Sequence, residues 1–98
     1  MLNDPLLEQI KTLLTAHYGE RMRALILYSE PDAGELDLLC VLEGAANVWM
    51  ELDRIVDATQ PAAQAFPDRP FQVTPCSARD FDTGATGLIR EAQRGIPL

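Results

Sequence analysis

The amino-acid sequence predicts a small α/β (α+β) sandwich, in which helices pack against a small mixed sheet in the order α-β-β-α-β-α. Three observations carry this expectation. Apolar residues recur at helical spacing in two stretches, Leu6 to Leu14 and Val48 to Val56. Two nearly continuous apolar runs, Met22–Tyr28 and Leu36–Leu42, lie between those stretches, as buried strands require. A third run, Phe71-Gln72-Val73-Thr74, alternates apolar and polar side chains with the period of a half-buried strand. The chain has 98 residues and is 47% hydrophobic, which suits a single packed domain and not a disordered segment.

Each element has a local reason. Asn3-Asp4-Pro5 opens the first helix, with a capping side chain ahead of a proline in the first turn. Leu6, Leu7, Ile10, Leu13, Leu14 and His17 then share a helical stripe, and Gly19 stops it. Pro31, Asp32 and Gly34 mark a turn between the first two strands, and Gly44 ends the second. Val48, Trp49, Leu52, Ile55 and Val56 form the apolar stripe expected of a second helix, with Glu51, Asp53, Arg54 and Asp57 facing water. Pro61 is expected to end or bend that helix, since proline lacks the amide donor and disfavours helical geometry in Gln60 before it. Pro67 to Pro70 is a loop, Ser77 to Asp80 starts a helical turn, and Leu88 to Gln93 is a short helix closed by Gly95.

Composition excludes several function classes. The net charge is -7, and the eight basic residues are scattered, so there is no dedicated nucleic-acid patch. No apolar stretch reaches membrane-spanning length, and the start of the chain lacks the basic-then-apolar layout of a signal peptide. Two cysteines without metal-ligand spacing make neither a disulfide framework nor a zinc site. Cys40 is expected in the core, and Cys76 lies in a turn-like stretch where it could be exposed. The expected setting is cytoplasmic and reducing.

The residues that suggest chemistry are Glu35 and Asp37. They are two apart at the start of a strand, and strand side chains alternate, so both carboxylates belong to one face. A pair of hard oxygen ligands is what a Mg²⁺ site in phosphoryl transfer needs. Solvated acids at a strand end would look the same in sequence. His17 fits a favourable interaction with a helix C-terminus better than catalysis. Trp49 reads as a packing residue that could otherwise stack on a base. Arg90 and Arg94, four apart on the last helix, are the best basic pair for an acidic partner.

The element order, Ser29 at the end of the first strand and the acid-x-acid pair Glu35-Leu36-Asp37 together resemble the minimal nucleotidyltransferases of the DNA polymerase β superfamily. Phe71-Gln-Val-Thr-Pro75 is similar to that family's third strand, and Leu88 to Leu98 to its closing helix and apolar tail. The resemblance implies that Ser29 binds the phosphates of ATP or another NTP, that Glu35 and Asp37 hold Mg²⁺ as catalytic carboxylates, and that a third carboxylate on the third strand completes the site. This chain departs from that pattern. Tyr28 stands where the family has glycine, Glu35 where it has aspartate, and Glu30 where it has arginine. Only five residues separate Ser29 from Glu35, and the third acid falls on Phe71 or, one residue along, on Gln72. A nucleotidyltransferase-like fold that has lost full catalytic competence is therefore expected, serving as a binding or regulatory, antitoxin-like subunit of a small helical protein partner. The alternatives are an active Mg²⁺-dependent nucleotidyltransferase, with Glu43 or Asp32 filling in for the third acid, and a homodimeric scaffold.

Overall fold

A carboxylate sets where the first helix begins. In the computed structural model, which describes residues 3–44 and 47–98, Asp4 accepts a hydrogen bond from the Leu6 amide at 3.0 Å and caps α1 (Pro5–Tyr18). The same side chain receives two parallel hydrogen bonds from Arg69, at 2.7 and 2.8 Å. One residue thus starts the helix and ties it to the loop before the third strand.

A single 3-10 turn leads into β1 (Met22–Leu27), which a turn joins to β2 (Leu36–Leu42). Helix α2 (Val48–Ala65) crosses over to β3 (Phe71–Ser77). Two one-and-a-half-turn helices follow, α3 (Ala78–Thr83) and α4 (Gly87–Ala92), and the two-residue β4 (Ile96–Pro97) comes last. The sheet order is β3-β2-β1-β4. β1 is antiparallel to β2 and β4, whereas β2 and β3 are parallel. The expected mixed sheet packed against helices is therefore present.

Two apolar clusters sandwich the sheet. Leu25, Leu27, Leu36, Leu38, Cys40, Leu42 and Val73 pack with Leu6, Ile10 and Leu14 of α1 and Ile55 and Ala62 of α2. Leu39, Val41 and Cys76 pack with Ala78, Ile89 and Ala92 of α3 and α4. β2 is covered on both faces, which is why its sequence runs apolar without alternating.

Four expectations need correction. The stripe on α2 is rotated: Glu51, Ile55, Thr59 and Ala62 face the core, while Trp49 is 76% and Val56 53% exposed. Glu51 can be buried because Arg21 and Arg54 reach its two oxygens at 2.6 and 2.8 Å. Pro61 does not end α2. It lies on the solvent side, where water can satisfy the exposed Asp57 carbonyl it leaves free, and the buried Ile55, Thr59 and Ala62 hold the helix on both sides. Cys76 is buried at the end of a longer β3. Finally, α4 stops at Ala92, so Arg94 lies outside it and shares no helical face with Arg90.

Both ion clusters make the fold sensitive to acid. The Arg69 hydrogen bonds hold the Asp4 carboxyl below its usual range. At Glu51 burial is the largest single influence and pushes the carboxyl up, but the hydrogen bonds and charges of Arg54 and Arg21 together outweigh it and leave the value lowered. A carboxylate whose folded pKa is depressed contributes stability above its unfolded pKa and loses it as pH falls through the folded one. Urea midpoints should therefore be flat from pH 7 to about 5 and fall below the ordinary glutamate value of 4.5. The combined Asp4→Asn and Glu51→Gln variant should show a shallower fall. An equal acid slope in that variant would place the sensitivity elsewhere.

Candidate functional site

The sequence-predicted residues meet where β1 leaves the sheet and β2 enters it. The Tyr28 amide donates to the Asp37 carbonyl at 3.0 Å. The Asp37 amide donates to the Ser29 hydroxyl oxygen, also at 3.0 Å. Ser29 in turn donates to the Glu30 carbonyl at 3.4 Å. The Ser29 side chain therefore acts as an extra rung that closes the β1–β2 connection, and the Ala33 amide on Glu30 tightens the turn beyond it. Ser29 and Asp37 are brought together through the serine hydroxyl and the Asp37 backbone amide.

Asp37 is half-buried and Glu35, just before β2, is exposed. Asp37 lies on the face covered by α3 and α4, because Leu36, Leu38 and Cys40 take the other. The parallel register pairs Asp37 with Gln72, and Leu36 with Phe71. Phe71 packs against the core under α1 and α2. The position beside Asp37 thus belongs to Gln72, a neutral amide. Glu43 lies past the opposite end of β2, 3.8 Å from Arg23, and cannot supply the missing acid.

Tyr28, Thr74 and Glu91 join this end of the sheet, and sequence reasoning gave none of them a role. Tyr28 packs against the cluster beneath α3 and α4. Burial pushes its phenol up, the Asp37 charge adds to this, and Glu91 and Glu35 contribute in the same sense against the Thr74 hydroxyl. The phenol is thus held in its protonated form, with burial and the charges of Asp37, Glu91 and Glu35 acting in the same sense. Strand alternation from Asp37 could have pointed to Thr74 across from Leu39, but no local signal places Glu91 of α4 over the sheet.

The electrostatics are one-sided. Among the described residues, no Lys or Arg makes an ion pair with Glu35, Asp37 or Glu91. Arg90 is not a free phosphate clamp either, since it donates to the Gly84 carbonyl at 2.9 Å and braces α4 against the end of α3. Nor do three His, Cys, Asp or Glu side chains converge as metal ligands among the described residues. Two carboxylates and an amide fit an octahedral Mg²⁺ site poorly. The remaining candidates are structural or peripheral. Burial pushes Cys40 up to about 12. Burial, followed by the Asp80 charge, pushes Cys76 up to about 11, so both thiols stay protonated and unreactive. His17 sits edge-on to the Tyr18 ring at 4.7 Å, on an exposed turn of α1.

No family model matches the chain, and neither the curated proteins nor the solved structures contain a match to it. Among the described residues, no helix is long and apolar enough to cross a membrane.

Proposed function

We propose that the chain is a nucleotidyltransferase-like domain that has lost full catalytic competence and works in the cytoplasm as a binding or regulatory subunit, in the manner of an antitoxin. The observation that carries this reading is the register of β2 against β3, which puts Gln72 beside Asp37. A phosphoryl-transfer site needs anionic ligands to fix its metal over the reacting phosphate, and an amide supplies no charge. The engaged Ser29 hydroxyl supports the same reading, since it already bonds the Asp37 amide and the Glu30 carbonyl. So does the uncompensated charge of Glu35, Asp37 and Glu91, which opposes a triphosphate.

Calorimetric titration of Mg²⁺ and then Mg²⁺–ATP into the protein, with Asp37→Ala as the control, tests this. The expected result is no saturable heat at millimolar ligand in either protein. Saturable binding that Asp37→Ala abolishes would overturn the reading in favour of a working nucleotidyltransferase.

A further inference from the structure

The surface least explained by the fold lies on the opposite flank of β3. β3 is the outer strand of the sheet, and among the described residues no strand pairs with its far edge. The Leu36 amide donates to the Pro70 carbonyl at 3.1 Å. In a parallel ladder this turns the amides of Gln72, Thr74 and Cys76 toward β2 and leaves those of Phe71 and Val73 pointing outward. Pro75 also points its nitrogen outward, so its missing donor costs the ladder nothing.

Beside this edge runs a groove of about 320 Å³ between α2 and β3, with Leu52, Val56, Phe66, Phe71 and Val73 among its walls. Its volume is at the lower end of the roughly 300–1,000 Å³ usual for binding pockets. The rotation of α2 described above contributes Val56 to this apolar wall and leaves Trp49 outside both the core and the groove. The two are seven residues apart and so belong to one stripe.

Charge decides what the edge can take. Asp53 follows Trp49 by one turn and precedes Asp57 by another, so both carboxylates flank the apolar stripe, and both are exposed. Asp68 is exposed in the loop at the far end of the groove. The one cation in the groove wall, Arg69, is neutralised by its two bonds to Asp4. Among the described residues, no cation pairs with Asp53, Asp57 or Asp68. A second copy of a chain with net charge -7 would bring like charges together here.

We infer that the β3 edge and the α2 groove form a docking site for an extended, basic segment of a partner protein, which adds a strand to the sheet. The segment's backbone pairs with the outward groups of Phe71 and Val73, its apolar side chains enter the groove, and its Lys or Arg side chains meet Asp53 and Asp57. The inference rests on the reading of the chain as a binding subunit and supplies the surface that such a subunit would use.

The probe is a short synthetic peptide alternating valine with lysine, compared with its valine–glutamate counterpart. It is followed by Trp49 fluorescence and by amide chemical shifts. Saturable binding of the lysine peptide is expected, with shifts centred on Phe71, Val73 and the Trp49–Val56 stripe and at least tenfold preference over the glutamate peptide. Asp53→Lys combined with Asp57→Lys should weaken the lysine peptide about tenfold and leave the thermal midpoint unchanged, since both side chains are exposed. Equal binding of the two peptides, shifts confined to another surface, or no binding at millimolar peptide would overturn the inference. Sedimentation of the chain alone as a dimer with its β3 amides protected would also overturn it, by making a second copy the occupant. Failure here with silent Mg²⁺–ATP would leave the binding-subunit reading standing, whereas Mg²⁺–ATP binding would remove that reading whatever the peptide does.

Discussion

Replacing Leu38 by alanine is expected to destabilise the fold by about 3–5 kcal/mol, a large share of the roughly 5–15 kcal/mol that holds a small domain together. Leu38 is fully buried at the middle of β2, with a strand on either side and α1 and α2 above. Its removal costs the transfer free energy of the lost methyl and methylene groups, and the site collapses poorly because its neighbours are themselves fully buried. Leu36, Leu42, Leu6, Ile10 and Leu14 are each 0–1% exposed. Trp49→Ala is the matched control. It removes a larger side chain from an exposed position, so its effect should stay within about 0.5 kcal/mol. Urea denaturation of the two variants checks both values. A loss below about 1 kcal/mol at Leu38 would mean that β2 is not the centre of the core.

Gly95→Ala should destabilise by about 1–3 kcal/mol, the usual cost of forcing atoms into a packed site. A methyl group at Gly95 would lie 2.5 Å from the Leu27 carbonyl oxygen, 2.7 Å from Ile26 Cγ2 and 3.1 Å from the Ala92 carbonyl. Two of those atoms are backbone and cannot turn aside. Relief requires the chain to move off β1, which breaks the pairing of Leu27 with Ile96 and the hydrogen bond from the Leu98 amide to the Leu25 carbonyl. Gly34→Ala makes a clean comparison, since nothing lies within 4 Å of the added methyl. Amide exchange should show lost protection at Leu98 in Gly95→Ala and none in Gly34→Ala. Unchanged protection in both would disprove the steric account.

How far the sequence could be read follows from how local each cause is. The start of α1 was legible because Asp4 and Pro5 act within one turn. β2 was legible because burial on both faces leaves a continuous apolar run. The pairing of β1 with β2 was legible too, since a short Pro/Asp/Gly turn joins them. The core face of α2 was not. Glu51 looks like a solvated acid until Arg21, thirty residues earlier, is found on it, and Val56 faces the open groove beside β3, not the core. Pro61 misled for a similar reason, as tertiary packing on both sides overrides a local preference. β4 is too short for periodicity to register, and only its ladder with β1 defines it. Within the candidate site, Phe71 and Gln72 were equivalent until the register of two parallel strands separated them, and no turn fixes that register.

The two halves of this sheet end are assembled over very different lengths of chain. Tyr28, Ser29 and Asp37 meet through one turn, with serine and aspartate only eight positions apart. Gln72 reaches Asp37 only after the chain has travelled through the whole of α2 and back. Closing the longer loop costs more chain entropy, and a parallel ladder offers no hairpin to guide it. The half of the site that carries Ser29 and Asp37 is therefore pinned by local closure, while its third position depends on the helix crossover being seated. Whatever loosens α2 loosens that third position first.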